Sequence, residues 1–219
     1  VGLTATPAAH TTEIFGEPLF GYSYRQAVVD GWLVDHEPPL QIVTKLAEDG
    51  ITWKKGEVIE YIVPRRTLTE IYTRVVCGVL AAEIDPSQPG KTIVFCVNDA
   101  HADLVVKLLK EAFRDQYGEV EDDAVTKITG AADKPLRKIK RFQNERLPSV
   151  AVTVDLLTTG IDVPAVTNLV FLRRVRSRIL YEQMLGRGTR LRPDLFGPKE
   201  DKTAFRVFDA VNLYAALLD

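Results

Sequence analysis

The chain has 219 residues, of which 46% are apolar and 26% charged, with a formal net charge of −2. This composition indicates a globular protein with a sizeable core and excludes a disordered chain. It contains no apolar run of membrane-spanning length, and its charge balance gives no global attraction to nucleic acid, so any such site must be local.

The two cysteines, Cys77 and Cys96, lie in a helical and a strand pattern, without the spacing of metal ligands. Isolated thiols of this kind are typical of buried, reduced cysteines. No signal peptide is visible, and we therefore expect a cytoplasmic protein with no membrane segment.

The start of the chain is already strand-like. Residues 1–7 (VGLTATP) predict a short buried strand closed by its proline, and residues 23–31 (SYRQAVVDG) predict a short helix with a serine cap and a glycine stop. A start without methionine inside such a strand is what we expect of a fragment of a longer protein.

The spacing of apolar residues differs between residues 40–63 and residues 64–82. The first stretch predicts a small antiparallel excursion, because DG at 49–50 and KG at 55–56 are turn signals between apolar runs. In the second, apolar residues recur at three and four, which predicts a long linker helix followed by a turn-rich segment.

From residue 88 onwards, strand and helix patterns alternate, which implies an α/β fold with a parallel sheet covered by helices on both faces. The predicted parallel strands include 92–97, 150–154 and 168–172. The predicted helices are 99–116, capped by Asn98 or Asp99, then 136–144 and 178–190.

Two stretches imitate known sites. PGKT at 89–92 resembles the end of a phosphate-binding loop, but Asp85 stands where the first glycine is needed, and a strand pattern follows instead of a helix. The acids in 193–194 and 200–202 resemble a nuclease metal site, but the LFGP between them is too short to bring carboxylates together. We therefore predict no metal site here.

A glutamine and two arginines follow helical spacing near the end of the 178–190 pattern. Gln183, Gly186, Arg187 and Arg190 stand at i, i+3, i+4 and i+7 and would share one helix face. Guanidinium suits the charge that develops on a transferred phosphoryl group. The alternative is an ordinary arginine-rich exposed face.

The stretch 152–164 (VTVDLLTTGIDVP) is a strand pattern followed by a threonine-rich turn. Open parallel sheets bind ligands at strand ends. Thr153, Thr158, Thr159 and Gly160 offer hydroxyls and a bare amide to phosphate oxygens, and Asp162 can accept from a ribose or hold an arginine. The alternative is an ordinary capped turn.

Four stretches in this order resemble motifs III to VI of superfamily 2 helicases and translocases: TAT (4–6), TIVFCVN (92–98), TVDLLTTGIDVP (153–164) and QMLGRGTR (183–190). The surrounding sequence, including GLTATP and FLRRVRSRILYEQMLGRGTRL, resembles the restriction (R) subunit of type I restriction–modification enzymes. The resemblance covers most of the chain and is weakest at 41–60.

The resemblance implies roles for individual residues. Arg187 and Arg190 would be arginine fingers on the ATP phosphates, with Gln183, Gly160 and Asp162 organising the nucleotide cleft. The residues it implies at the DNA backbone are Asn98, Thr153, Thr158, Thr159 and Arg173. Thr4 and Thr6 would couple the two motor domains.

The same resemblance implies a domain organisation. Residues 1–30 would be the tail of a first RecA-like domain with its connector, 31–87 the excursion and linker helix, and 88–219 the second RecA-like domain. The chain has no Walker A loop and no acidic box, so the upstream domain would have to hold Mg²⁺ and cradle ATP. We therefore expect the fragment alone to be inactive.

Two basic stretches are candidates for nucleic-acid contact. Between residues 173 and 192 there are seven arginines and a single acid, Glu182, and a second basic run occupies 134–146. Neither has interleaved aromatics, which favours tracking of the phosphate backbone over base reading. The alternative for both is a solvated helix face.

These observations favour an ATP-driven translocase on double-stranded DNA, working with methyltransferase and specificity subunits. Two alternatives stay open: another superfamily 2 DNA or RNA helicase, and a helicase-like module that only binds. The last would be expected to lose the motif VI arginines, which this chain keeps.

Overall fold

The computed structural model describes residues 13–42, 65–130, 134–154, 162–175 and 177–213. In chain order the elements are α1 (Tyr24–Val29), β1 (Asp35–His36), β2 (Leu40–Gln41), α2 (Arg65–Glu83), β3 (Lys91–Phe95), α3 (Asp99–Tyr117), β4 (Val125–Lys127), α4 (Pro135–Asn144), β5 (Val150–Thr153), β6 (Val166–Phe171), α5 (Arg178–Leu185), β7 (Arg192–Gly197), β8 (Glu200–Lys202) and β9 (Ala204–Asp209).

Within the described residues, seven strands form one sheet in the order β1-β9-β6-β3-β5-β4, with β2 also paired to β9. Every pair in this sheet is parallel. The predicted strands at 92–97, 150–154 and 168–172 are therefore confirmed as parallel neighbours. All residues of β3 and β5 are buried, which is why these strands have continuous apolar runs instead of alternation.

Helices cover both faces of the sheet, as the alternation predicted. One core cluster joins α2 and α3 to Val94 and Val152, and a second joins α4 and α5 to Ile93 and Phe171. Successive residues of β3 thus face opposite layers. Cys77 and Cys96 lie buried in the first layer, and burial raises the pKa of the Cys77 thiol to about 12.

The helix limits follow local capping chemistry. Asn98 caps α3, since its Oδ1 accepts from the His101 amide at 2.9 Å, and Gly118 ends that helix with a φ of 76°. The linker helix predicted at 64–82 is α2. No helix in the described part of the chain is long and apolar enough to cross a membrane.

Two predictions from the sequence differ from the structure. Leu40–Gln41, at the start of the predicted antiparallel excursion, pairs in parallel with β9, and the turns at 49–50 and 55–56 lie outside the described residues. The helix predicted at 178–190 is too long, because α5 ends at Leu185.

The carboxylates that imitate a metal site lie on an antiparallel hairpin formed by β7 and β8. The Asp194 amide donates to Asp201 Oδ1 at 2.8 Å, and Asp194 Oδ1 accepts from the Lys199 amide. These carboxylates therefore hold the turn, and the described residues include no group of three potential metal ligands.

Candidate functional site

The end of α5 is a tight turn that points the chain toward β7. Gly186 caps the helix by donating its amide to Glu182 O, the Gly188 amide donates to Leu185 O at 2.9 Å, and Thr189 Oγ1 donates to Gly186 O at 3.1 Å. The prediction that Arg190 shares a helix face with Gln183 is therefore wrong, because Arg190 lies beyond the helix.

A contact with β9 explains why the helix stops there. A Cβ on Gly188 would lie 2.4 Å from Cδ2 of the Phe205 ring, so only glycine allows this approach. Phe205 is 1% exposed and belongs to the core layer of α4 and α5. The turn is thus fixed by packing against a residue distant in sequence.

Asp162, Arg187 and Arg190 nevertheless converge. Arg190 Nε donates to Asp162 Oδ1 at 3.1 Å, in a pair whose side chains are 54% and 59% exposed. Burial lowers the pKa of the Arg187 guanidinium; the Asp162 carboxylate opposes this shift and the Arg190 guanidinium adds to it. The exposed Arg190–Asp162 pair and the half-buried Arg187 therefore lie close enough for their charges to interact.

The main chain of Asp162 is held as well, since Gln143 Nε2 on α4 donates to its carbonyl at 3.0 Å. Gln183 lies exposed in the last full turn of α5, before Arg187. The structure thus brings together both predicted arginines and the predicted aspartate, by a turn instead of a helix face.

The cluster lies at the amino ends of the strands. Asp162 precedes β6, and the turn that carries Arg190 contacts Phe205 at the start of β9. Asp162 therefore lies at the other edge of the sheet from Thr153, which ends β5. The reason is that residues 155–161, which lie outside the described part, separate it from the end of β5.

Three of the predicted DNA contacts, Asn98, Thr153 and Arg173, lie at the opposite, carboxyl edge. Thr153 ends β5, level with Phe95 and Phe171 in the neighbouring strands, and Asn98 follows β3. Arg173 follows β6, and its Nη1 donates to Val154 O at 2.9 Å.

These carboxyl-edge side chains differ in access. Asn98 is exposed but uses its Oδ1 to cap α3, and Arg173 is half-buried. Thr153 is 0% exposed, so its predicted phosphate contact stays a prediction without an accessible hydroxyl. The predictions for Thr4, Thr6, Thr158, Thr159 and Gly160 lie outside the described residues.

Two of the six cations in the second basic run, Arg141 and Arg146, are paired with acids. Arg141 pairs with Asp123 and with Glu145, and Arg146 Nη2 donates to both carboxylate oxygens of Glu121 at 2.5 and 2.8 Å. The basic run therefore has less positive charge to offer than its sequence indicates, because its acidic partners come from the preceding loop.

Sequence reasoning missed Lys202, which ends β8 and is 2% exposed. It had been considered only as part of the acidic stretch at 200–202. Its Nζ donates to the carbonyls of Pro164, Gly188 and Arg190 at 3.2, 2.6 and 2.9 Å. No local pattern distinguishes such a buried lysine from a solvated one.

The fold and this cluster define a helicase-type domain. Residues 73–192 match the family model described as the helicase conserved C-terminal domain, which is more than half of the chain, and the chain belongs to that family.

Two curated relatives are endonuclease subunits of type I restriction enzymes. The EcoKI subunit of Escherichia coli K12 is 48% identical over 99% of this chain, and the EcoAI subunit of Escherichia coli is 30% identical over 87% of it. The chain spans only 20% and 26% of the lengths of these two relatives.

A solved structure agrees. A fragment described as the HsdR subunit of a type I restriction enzyme from Vibrio vulnificus YJ016 superposes with a TM-score of 0.72 at 28% identity. The match covers 97% of this chain and 40% of that one. The resemblance to R subunits and the RecA-like fold expected from the sequence are thereby confirmed.

Proposed function

We propose that this chain is the second RecA-like half of an ATP-driven DNA translocase, the motor of a type I restriction endonuclease R subunit. The observation that carries the proposal is the convergence of Asp162, Arg187 and Arg190 at an open edge of the sheet. The likeness to two type I endonuclease subunits supports it.

The cluster fits a triphosphate. Two guanidiniums side by side suit the equatorial oxygens of a transferring phosphoryl group, where arginine fingers stabilise the developing charge. Asp162 would keep Arg190 oriented through the bond to its Nε, which leaves the terminal nitrogens of that guanidinium to point at phosphate. Gln183 and Gly160 would complete this side of the cleft.

ATP would supply the phosphoryl group that is transferred to water, and Mg²⁺ would neutralise its oxygens. Another part of the protein would hold the metal, while this domain contributes the arginines. The isolated chain should then hydrolyse no ATP, and Thr4 and Thr6 would couple the two halves.

Double-stranded DNA is the proposed track, contacted through its phosphates by Asn98 and Arg173 at the carboxyl edge and by Thr158 and Thr159 of the motif V stretch. Methyltransferase and specificity subunits are the proposed partners, in the cytoplasm. Backbone contacts predict weak, sequence-independent binding that falls steeply with salt.

The experiment measures ATP hydrolysis by the full-length protein, assembled with those subunits, in the presence of linear duplex DNA carrying the recognition site, or of RNA. Stimulation by the duplex without strand separation is expected. Stimulation by RNA, or unwinding of a duplex, would support the alternative of another superfamily 2 helicase.

A further inference from the structure

A buried ammonium lies directly beneath the arginine turn. The three acceptors of Lys202 Nζ are all main-chain carbonyls, and the nearby Phe205 ring has its centroid 5.9 Å away. Burial lowers the pKa of Lys202 to about 8. A cation buried in this way is held by directional hydrogen bonds, so the carbonyls and the lysine fix one another.

The three carbonyls belong to the two segments that form the site. Pro164 follows Asp162 in the segment before β6, whereas Gly188 and Arg190 lie in the turn after α5. The Lys202 side chain therefore connects both segments from the buried side. Neither segment has regular secondary structure there, and their main chains bond to other elements, Thr189 O to the Val34 amide and Ala165 O to the Lys91 amide, and not to each other.

We propose that Lys202 is a positioning residue for the arginine cluster, setting the main chain on which Arg187, Arg190 and Asp162 stand. This inference rests on the proposed function of the two arginines. A guanidinium acts on a phosphoryl group only when its direction is held, and displacements of about 1 Å can cost about 10²-fold in rate. Lys202 itself is 2% exposed and would act through these residues, not directly on the nucleotide.

Lys91, the first residue of β3 in the seven-stranded sheet, provides a matched control. It is 6% exposed, and its Nζ donates to the carbonyls of Glu145, Arg146 and Pro148, each at 2.7 Å. Burial lowers its pKa to about 8 as well. It ties the loop between α4 and β5, which carries none of the proposed site residues.

The experiment compares Lys202→Met with Lys91→Met in the full-length protein. Methionine keeps most of the aliphatic stem and removes all three hydrogen bonds in each case. Hydrogen–deuterium exchange is followed in peptides covering 162–166 and 186–192, and in peptides covering 144–149. ATP hydrolysis is measured on the same preparations, with Arg190→Ala and the double variant alongside.

For Lys202→Met we expect faster exchange in 162–166 and 186–192 together, and a fall in the turnover number of about 10²-fold. For Lys91→Met we expect faster exchange in 144–149 and turnover within about twofold of the wild type. In the Arg190→Ala background, Lys202→Met should add less than its separate effect, because the part of that effect that acts through the Arg190 guanidinium is already lost.

The outcomes separate the two proposals. Full turnover in Arg190→Ala and Arg187→Ala would overturn the proposed function. Loss of turnover in both, together with equal turnover in Lys202→Met and Lys91→Met, would overturn the positioning role alone. If Lys202→Met fails to fold, Lys202→Gln keeps an amide donor, and unchanged exchange in 162–166 and 186–192 in that variant would contradict the proposal.

Discussion

The two edges of the sheet hold their polar side chains in different ways. At the amino edge, Arg190 and Asp162 form an exposed ion pair, and the buried Lys202 binds the main chain of the turn that carries Arg190. At the carboxyl edge the predicted contact residues also serve the fold: Asn98 caps a helix, and Arg173 bonds to the carbonyl of Val154.

At the amino edge the charges interact with one another, whereas at the carboxyl edge the polar side chains are only neighbours. Three interacting charges at one accessible edge can act together on one ligand group. The side chains of the carboxyl edge stand on separate loops, so each can contribute only its own contact. We therefore expect steep losses from changes at the amino edge and graded ones at the carboxyl edge.

The largest effect is expected from Arg187→Ala in the full-length protein. Removing one arginine finger should lower ATP turnover by about 10³-fold or more. Arg187→Lys should not rescue, because a point charge cannot reproduce the planar fork. If Arg187 serves the phosphate and not the fold, the melting temperature of the same protein should shift by a few degrees at most.

Arg178→Ala is the control for that change. Arg178 starts the same helix, is 84% exposed and pairs with Glu182 at 2.9 Å, so its loss should leave turnover near normal. Near-normal DNA-stimulated hydrolysis in a well-folded Arg187→Ala protein would end the arginine-finger interpretation.

The layered α/β fold could be predicted from sequence because its signals are local. Buried parallel strands are continuous apolar runs, and the caps at Asn98 and Ser177 stand beside the helices that they start. The convergence of Arg187 and Arg190 with Asp162 was also anticipated, since motif order carries that information.

The turn geometry could not be predicted, because the reasons for it are distant in sequence. Gly188 is fixed by the ring of Phe205, and the segment before β6 is tied to the turn by Lys202. The charge available in the second basic run was overestimated for a similar reason, since Arg141 and Arg146 pair with Asp123 and Glu121, which lie in the loop before β4.

Gly188→Ala tests whether packing against β9 sets the amino-edge turn. A methyl group there meets the Phe205 ring at 2.4 Å, so the free energy of unfolding should fall by about 1–3 kcal/mol, the cost of overpacking. Urea denaturation measures this. Gly130→Ala is the control, because a Cβ at Gly130 has nothing within 4 Å and should change stability little. Equal stability of the two variants would show that the turn accommodates a methyl group, and that packing against Phe205 does not fix it.

Arg173→Ala tests the carboxyl edge. If Arg173 neutralises one phosphate, its loss should weaken DNA binding uniformly across sequences and lower the slope of log K against log salt by about 0.9. Fluorescence anisotropy over a salt series measures both. Arg146→Ala should leave the slope unchanged, because Glu121 already pairs with that guanidinium. A change in base preference for Arg173→Ala would contradict backbone tracking.

The smallest effect is expected from Arg146→Ala. Both the free energy of unfolding and ATP turnover are measured on this variant. The Arg146–Glu121 pair has side chains that are 66% and 55% exposed, close to the 54% and 59% of Arg190 and Asp162. Exposed pairs of this kind are worth about 0–1 kcal/mol and weaken with salt, so Arg146→Ala and Arg190→Ala should lower the free energy of unfolding by similarly small amounts. Only Arg190→Ala should lower ATP turnover, because only that arginine stands beside a second guanidinium at an open edge. If both variants lost ATP turnover equally, turnover would depend on the overall positive charge and not on the position of Arg190. The distinction between Arg190 in the charge cluster and Arg146 outside it would then fail.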